Sequence, residues 1–164
     1  TLFNTLSRAG VVVEDKLFST LDPVTRRVTL PDGVAVLITD TVGFIHKLPH
    51  SIVAAFRTTL EEIGEADMLL HVVDITHRDA ARQHATVERI LGELGLAERP
   101  IVTDLNKVDL LGDGSPEEAL AALRDRLQFS RPDFVPISAA TGWNLPELME
   151  RVGGVLRASR TAAA

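Results

Sequence analysis

The sequence predicts an α/β domain of three layers, with a mostly parallel sheet and one antiparallel edge strand packed between helices. Three observations predict it. Short apolar runs of strand length, rich in Val, Ile and Leu, recur along the chain, and the stretches between them carry apolar residues at helical spacing. A Pro-Asp-Gly turn, Pro31 to Gly33, separates two early strand-like segments and makes them an antiparallel hairpin. The 164 residues, 45% apolar, 24% charged and 4% aromatic, are one domain's worth of an ordinary globular chain. That length buries roughly two-thirds of the unfolded surface around a single core.

In chain order, Arg26 to Leu30 forms the first arm of the hairpin and Val34 to Thr39 (VAVLIT) the second. Met68 to Ile75 (MLLHVVDI), Arg99 to Leu105 (RPIVTDL) and Asp133 to Ser138 (DFVPIS) come next as buried strands, whose near-continuous apolar character suits a parallel sheet covered on both faces. The spacing predicts a helix near 83–95 with Val87, Ile90, Leu91 and Leu94 on its core face, and another near 117–127 with Leu120, Leu123 and Leu127. Ser115, with Pro116 and Glu118 behind it, is a capping-box start, and Asn144 with Pro146 and Glu147 does similar work for the last helix. The domain is expected to span 1–158, with 159–164 as a tail.

Composition excludes some chemistry. There is no cysteine, so neither disulfides nor thiolate metal sites enter. No apolar run reaches the roughly 18 residues of a membrane span, and the opening TLFNTLSRAG lacks the regions of a signal peptide, so a cytoplasmic location is expected. A net charge of −6 argues against a broad non-specific nucleic-acid surface; an RNA partner would need a local basic spot or another domain.

The chemistry-bearing motifs lie at strand ends, where open α/β sheets place their ligand loops. NKVD (Asn106, Lys107, Val108, Asp109) comes directly after RPIVTDL. Guanine presents a ring N–H and an exocyclic amine as adjacent donors, and one carboxylate can accept from both, which makes Asp109 the candidate base reader. Adenine offers no such pair. Asn106 would tie loops together through its amide, and the Lys107 stem would cover the face of the base; a solvated polar turn is the plain alternative. SAATG (Ser138 to Gly142) comes after the next strand, where the small Ala139 lets a backbone N–H approach the guanine carbonyl oxygen. Taken alone it is a common small-residue turn.

DTVGF (Asp40 to Phe44) leaves VAVLIT. Its Asp40 suits Mg²⁺ held through water, and Gly43 lets a backbone N–H come near a γ-phosphate. Upstream, in LFSTLDP (Leu17 to Pro23), Thr20 offers a hydroxyl to Mg²⁺ and an N–H to the same phosphate, with Ser19 and the more distant Thr25 as chemical alternatives. Nucleotide binding is thus expected of Thr20, Asp40, Gly43, Asn106, Lys107, Asp109, Ser138 and Ala139, and metal binding of Thr20 and Asp40, with Mg²⁺ as cofactor and GTP as substrate.

The order of these motifs resembles the Ras-like P-loop GTPases, and their wording resembles the HflX family over about Thr1 to Val152. The stretches that carry the likeness are TLFNTL, LFSTLDPVTRR, LPDG, DTVGFIHKLPHSIVAAFRTTLEE and LLHVVD. The resemblance selects Thr20 over Ser19. It implies GTP hydrolysis coupled to the large ribosomal subunit and a further N-terminal domain. TLFN resembles the residues just past the lysine of the phosphate-binding loop in this family, so that loop, its lysine and the strand before it are expected to be absent from a chain opening at Thr1. The expected strand order is the hairpin strand, VAVLIT, a gap for the absent strand, MLLHVVDI, RPIVTDL and DFVPIS, and the segment alone is expected to be inactive.

Phe44 stands where many Ras-like enzymes carry a water-orienting glutamine, so no catalytic residue is assigned. His46 and His50 are nearby candidates. The alternatives are an Obg-like ribosome-associated GTPase and a non-enzymatic interaction module that lost its nucleotide site.

Overall fold

A Pro-Asp-Gly turn can close a hairpin only if its glycine takes a positive φ, and Gly33 does, at 84°. In the computed structural model, which describes residues 1–7, 24–41, 63–112, 118 and 134–162, this turn joins β1 (Val24–Thr29) to β2 (Ala35–Asp40). Leu30 N–H donates to Val34 O at 2.8 Å, and Val34 N–H donates to the Asp32 carboxylate at 3.1 Å. The ladder runs antiparallel from Val24 opposite Asp40 to Thr29 opposite Ala35, as the sequence predicts. Val28 and Leu30 are buried, and the short helix α1 (Leu2–Ser7) contacts β1 and buries Leu2. These elements belong to the first of two compact units, Thr1–Ala66 and Asp67–Ala164.

The second unit holds a parallel sheet in the order β3 (Leu69–Asp74), β4 (Ile101–Asn106), β5 (Phe134–Pro136). The register pairs Asp74 with Asn106, and Asp104 with both Val72 and Val135. Helix α2 (Ala80–Glu93) connects β3 to β4, and α3 (Leu145–Ala162) comes after β5 and contacts β4.

As the central strand, β4 is buried from Val102 to Asn106. One face of the sheet packs Val73 and Leu105 with Ile75, Ala80 and Val108, against which Leu111, Phe134 and Trp143 lie. Leu148, Met149, Val152 and Leu156 recur at helical spacing along the buried stripe of α3.

Two expectations need correction. Leu94 is 38% exposed, because α2 ends before it in a Schellman turn: Gly95 takes φ 72°, Gly95 N–H donates to Gly92 O and Leu96 N–H to Leu91 O. The position on the core face is filled instead by His84, one helical repeat before Leu91 and only 3% exposed. Its Nδ1 lies 3.3 Å from Nδ1 of His71 on β3, and Glu88 Oε1 lies 3.6 Å from its Nε2. Burial, and after it the field of His84, pushes the His71 pKa down to about 4 against the weaker opposite pull of Glu88.

The last helix differs at its start. Asn144 takes a left-handed φ of 59°, and its side-chain amide donates to Pro136 O at 2.9 Å, stitching the helix start to the end of β5. At its other end α3 runs to Ala162. The helix placed near 117–127 lies outside the described residues apart from Glu118, as does the capping residue Ser115.

Candidate functional site

Parallel strands deliver their C-terminal ends, and the loops attached to them, to one edge of a sheet. At the end of β4 the chain turns sharply: Lys107 takes φ 71° and ψ 31°, a left-handed conformation that a side chain beyond glycine adopts at a cost, and a short 3₁₀ turn (Val108–Leu110) comes next. The buried amide of Asn106 stabilises this turn. Its Oδ1 accepts from Lys107 N–H at 2.8 Å and from Ala139 N–H at 3.0 Å, joining two loops thirty-three residues apart. Val108 N–H adds a second tie, to Ile137 O at 3.3 Å.

The loop after β5 is organised by Ser138, which is fully buried. Its Oγ accepts from Thr141 N–H, its carbonyl from Gly142 N–H, and its own N–H donates to Trp143 O. Gly142 takes φ 80°, which lets this tight loop close. The N–H of Ala139, a residue only 2% exposed, donates to Asn106 Oδ1 within the fold. A base carbonyl would have to share it.

Asp109 lies on the 3₁₀ turn with its residue exposed, open to a ligand. Lys107 reaches back across the strand ends, its Nζ 2.7 Å from Asp74 Oδ2. Desolvation alone would raise the Asp74 pKa; the hydrogen bonds from Lys107 and Thr76 outweigh it and hold the carboxyl below the usual range. Sequence reasoning missed Asp74, although its place at the end of MLLHVVDI, as a carboxylate closing an apolar strand, was the available signal.

It also missed Asp104, two residues before Asn106 and on the same face of β4. Its side chain is fully buried, neither carboxylate oxygen has a hydrogen-bond partner among the described residues, and burial pushes its pKa up to about 8.

In the first unit, Asp40 is the half-buried last residue of β2, paired in register with Val24. A carboxylate oxygen is a hard donor of the kind that suits Mg²⁺. The hydroxyl of Thr25 bonds that of Thr39 at 2.9 Å, a cross-strand role. Ser19, Thr20, Gly43, Phe44, His46 and His50 lie outside the described residues. Among the described residues no group of three or more His, Asp or Glu side chains is placed to hold a metal, and no helix is long and apolar enough to cross a membrane.

With this geometry in place, similarity to known proteins becomes specific. A family model described as "50S ribosome-binding GTPase" matches residues 1–107. The chain belongs to that family. It is 47% identical over 152 residues to the GTPase HflX of Magnetococcus marinus, covering 93% of this chain and 33% of that protein. The HflX likeness carried by the motifs is borne out. The chain spans about a third of the length of the curated relatives it matches.

Among solved structures, a GTP-binding protein from Sulfolobus solfataricus in complex with GDP superposes with a TM-score of 0.68 at 29% identity, covering 95% of this chain and 48% of that one. Aquifex aeolicus Era, at 24% identity and a TM-score of 0.71 over 92% of this chain and 50% of its own, shares the fold. The α/β P-loop GTPase fold expected from the sequence is therefore the fold of this GTPase-family chain.

Proposed function

We propose that the protein carrying this domain binds GTP and hydrolyses it to GDP and phosphate, as a cytoplasmic molecular switch of the HflX type that associates with the large ribosomal subunit. The observation that carries the reading is the pair of bonds accepted by Asn106, which joins the NKVD and SAATG loops into one surface at the sheet edge. On that surface Asp109 accepts from the guanine ring N–H and amine, and the Lys107 stem covers the base. Ser138 shapes the loop that presents the Ala139 N–H to the carbonyl edge. A carboxylate at the Asp109 position repels the ring nitrogen acceptor of adenine, which favours guanine over adenine.

Thr20, Asp40 and Gly43 serve the phosphate end, the first two toward Mg²⁺ and the last through its N–H. When bound, the ion neutralises charge on the transferred phosphoryl group. Phe44 cannot hydrogen-bond water, so basal hydrolysis is slow until a partner helps to place the nucleophile.

The test uses the full-length protein and fluorescent nucleotides. Asp109→Asn replaces one of two acceptors with a donor and weakens GDP binding by about 2–4 kcal/mol, while a xanthosine nucleotide, altered in the complementary sense, regains affinity. Equal GDP affinity in wild type and variant would refute the assignment. Co-sedimentation with large ribosomal subunits, stronger with a non-hydrolysable GTP analogue than with GDP, tests the partner.

A further inference from the structure

The Asp74–Lys107 pair ties a residue of the NKVD motif to a carboxylate outside the motifs. Asp74 ends β3 directly opposite Asn106, and Ile75 N–H donates to Asn106 O at 3.1 Å, so the two strand ends are locked in register. Thr76 then orients the carboxylate: its N–H and hydroxyl both donate to Oδ1, at 3.0 and 2.6 Å. That leaves Oδ2 for Lys107 Nζ at 2.7 Å.

Lys107 is one of only two non-glycine residues with positive φ among the described residues. Backbone strain of this kind persists where surrounding contacts enforce it. Here Asn106 Oδ1 holds the Lys107 backbone and Asp74 holds the far end of its side chain, so the aliphatic stem is stretched between two fixed points along the strand ends. The pair is too exposed, at 51% and 36% of its side chains, to matter much for stability. Its consequence is the restricted freedom of a long side chain beside the base reader Asp109.

We infer that Asp74 is a positioning residue for guanine-nucleotide binding, holding the Lys107 stem in the arrangement that covers the base before the ligand arrives. This rests on the nucleotide function proposed above. A lysine already held in place need not be frozen on binding, and that saving is the affinity Asp74 contributes. Because Asp74 acts through a contact with the ring face, it serves any purine that Asp109 accepts. It is not a reader of the exocyclic amine.

The experiment measures binding of fluorescent GDP and of inosine diphosphate, which lacks that amine, to the full-length protein. The variants are Asp74→Ala, Asp74→Asn, Lys107→Ala and the Asp74→Ala/Lys107→Ala double. Asp74→Ala is expected to bind GDP about three- to tenfold more weakly, with an unchanged ratio of GDP to inosine diphosphate affinity. The double variant should bind no more weakly than Lys107→Ala, since Asp74 has nothing left to position. Asp74→Asn keeps the volume and an acceptor but not the charge, and falls between wild type and Asp74→Ala.

Full GDP affinity in Asp74→Ala and Asp74→Asn overturns the inference, as does a further loss in the double variant or a changed nucleotide ratio. If Asp74→Ala does not fold, the loss in Asp74→Asn relative to wild type decides. A wild-type protein that binds no GDP overturns the nucleotide reading itself, and this inference with it; retained wild-type binding confines a failure to Asp74.

Discussion

Two polar side chains lie two residues apart on one face of β4, both buried, with opposite outcomes. Asn106, at the strand end, accepts two backbone N–H groups; Asp104, inside the strand, has no hydrogen-bond partner among the described residues for either carboxylate oxygen. The difference is positional. Inside a sheet each backbone N–H is already committed to the ladder, while a strand end borders loops whose donors still need acceptors. Asp104 instead has Val72 and Val135 as its cross-strand neighbours. A buried polar group is thus an asset at the edge of this sheet and a liability one turn of the pleat further in.

The largest expected effect breaks the comparison from the liability side. Asp104→Val should stabilise the fold by about 4 kcal/mol at pH 8, where the native carboxyl is half ionised, with the gain shrinking as the pH falls toward 4. Urea unfolding monitored by the fluorescence of Trp143, the chain's single tryptophan, measures it. A variant less stable than wild type at pH 8 would contradict the account of Asp104.

From the other side, Asn106→Ala removes the acceptor and strands the Lys107 and Ala139 donors. A loss of about 2–3 kcal/mol is expected in the same unfolding experiment.

A smaller effect appears in the wild type. The folded-state pKa of Asp104 is raised from 3.8 to about 8, so its contribution to stability is full below 3.8 and is lost as pH rises to 8. His71 is lowered from 6.5 to about 4, so its contribution is full above 6.5 and is lost as pH falls to 4. Between about pH 4 and 6.5 the two oppose each other; from 6.5 to 8 only Asp104 acts, and stability should fall by about 2 kcal/mol. Asp104→Asn should flatten that upper range.

The smallest effect sharpens the strand end itself. Lys107→Gly relieves a left-handed backbone but loses an exposed ion pair, and should change stability by under about 1 kcal/mol. A large loss would mean that the turn depends on the Lys107 side chain as well as on Asn106.

What the sequence by itself determined about this chain is whatever local chemistry controls. The Pro-Asp-Gly turn set the hairpin, because Gly33 alone tolerates the needed φ and Asp32 caps the turn from within it. Apolar runs located β3 and β4, and the motifs fell at their ends because a parallel sheet puts its loops there. Only the tertiary structure decided the rest. Leu94 had the right spacing for the core, but the Schellman turn at Gly95 released it, and His84 took the buried face although a histidine does not count in an apolar pattern. Asp104 hid inside an apolar run, and its apolar cross-strand neighbours Val72 and Val135 became visible only with the strand register. The hydrogen bond from Ala139 to Asn106 and the reach of Lys107 to Asp74 each join residues thirty-three positions apart, and such pairings are set by strand register and close packing, which no local spacing encodes.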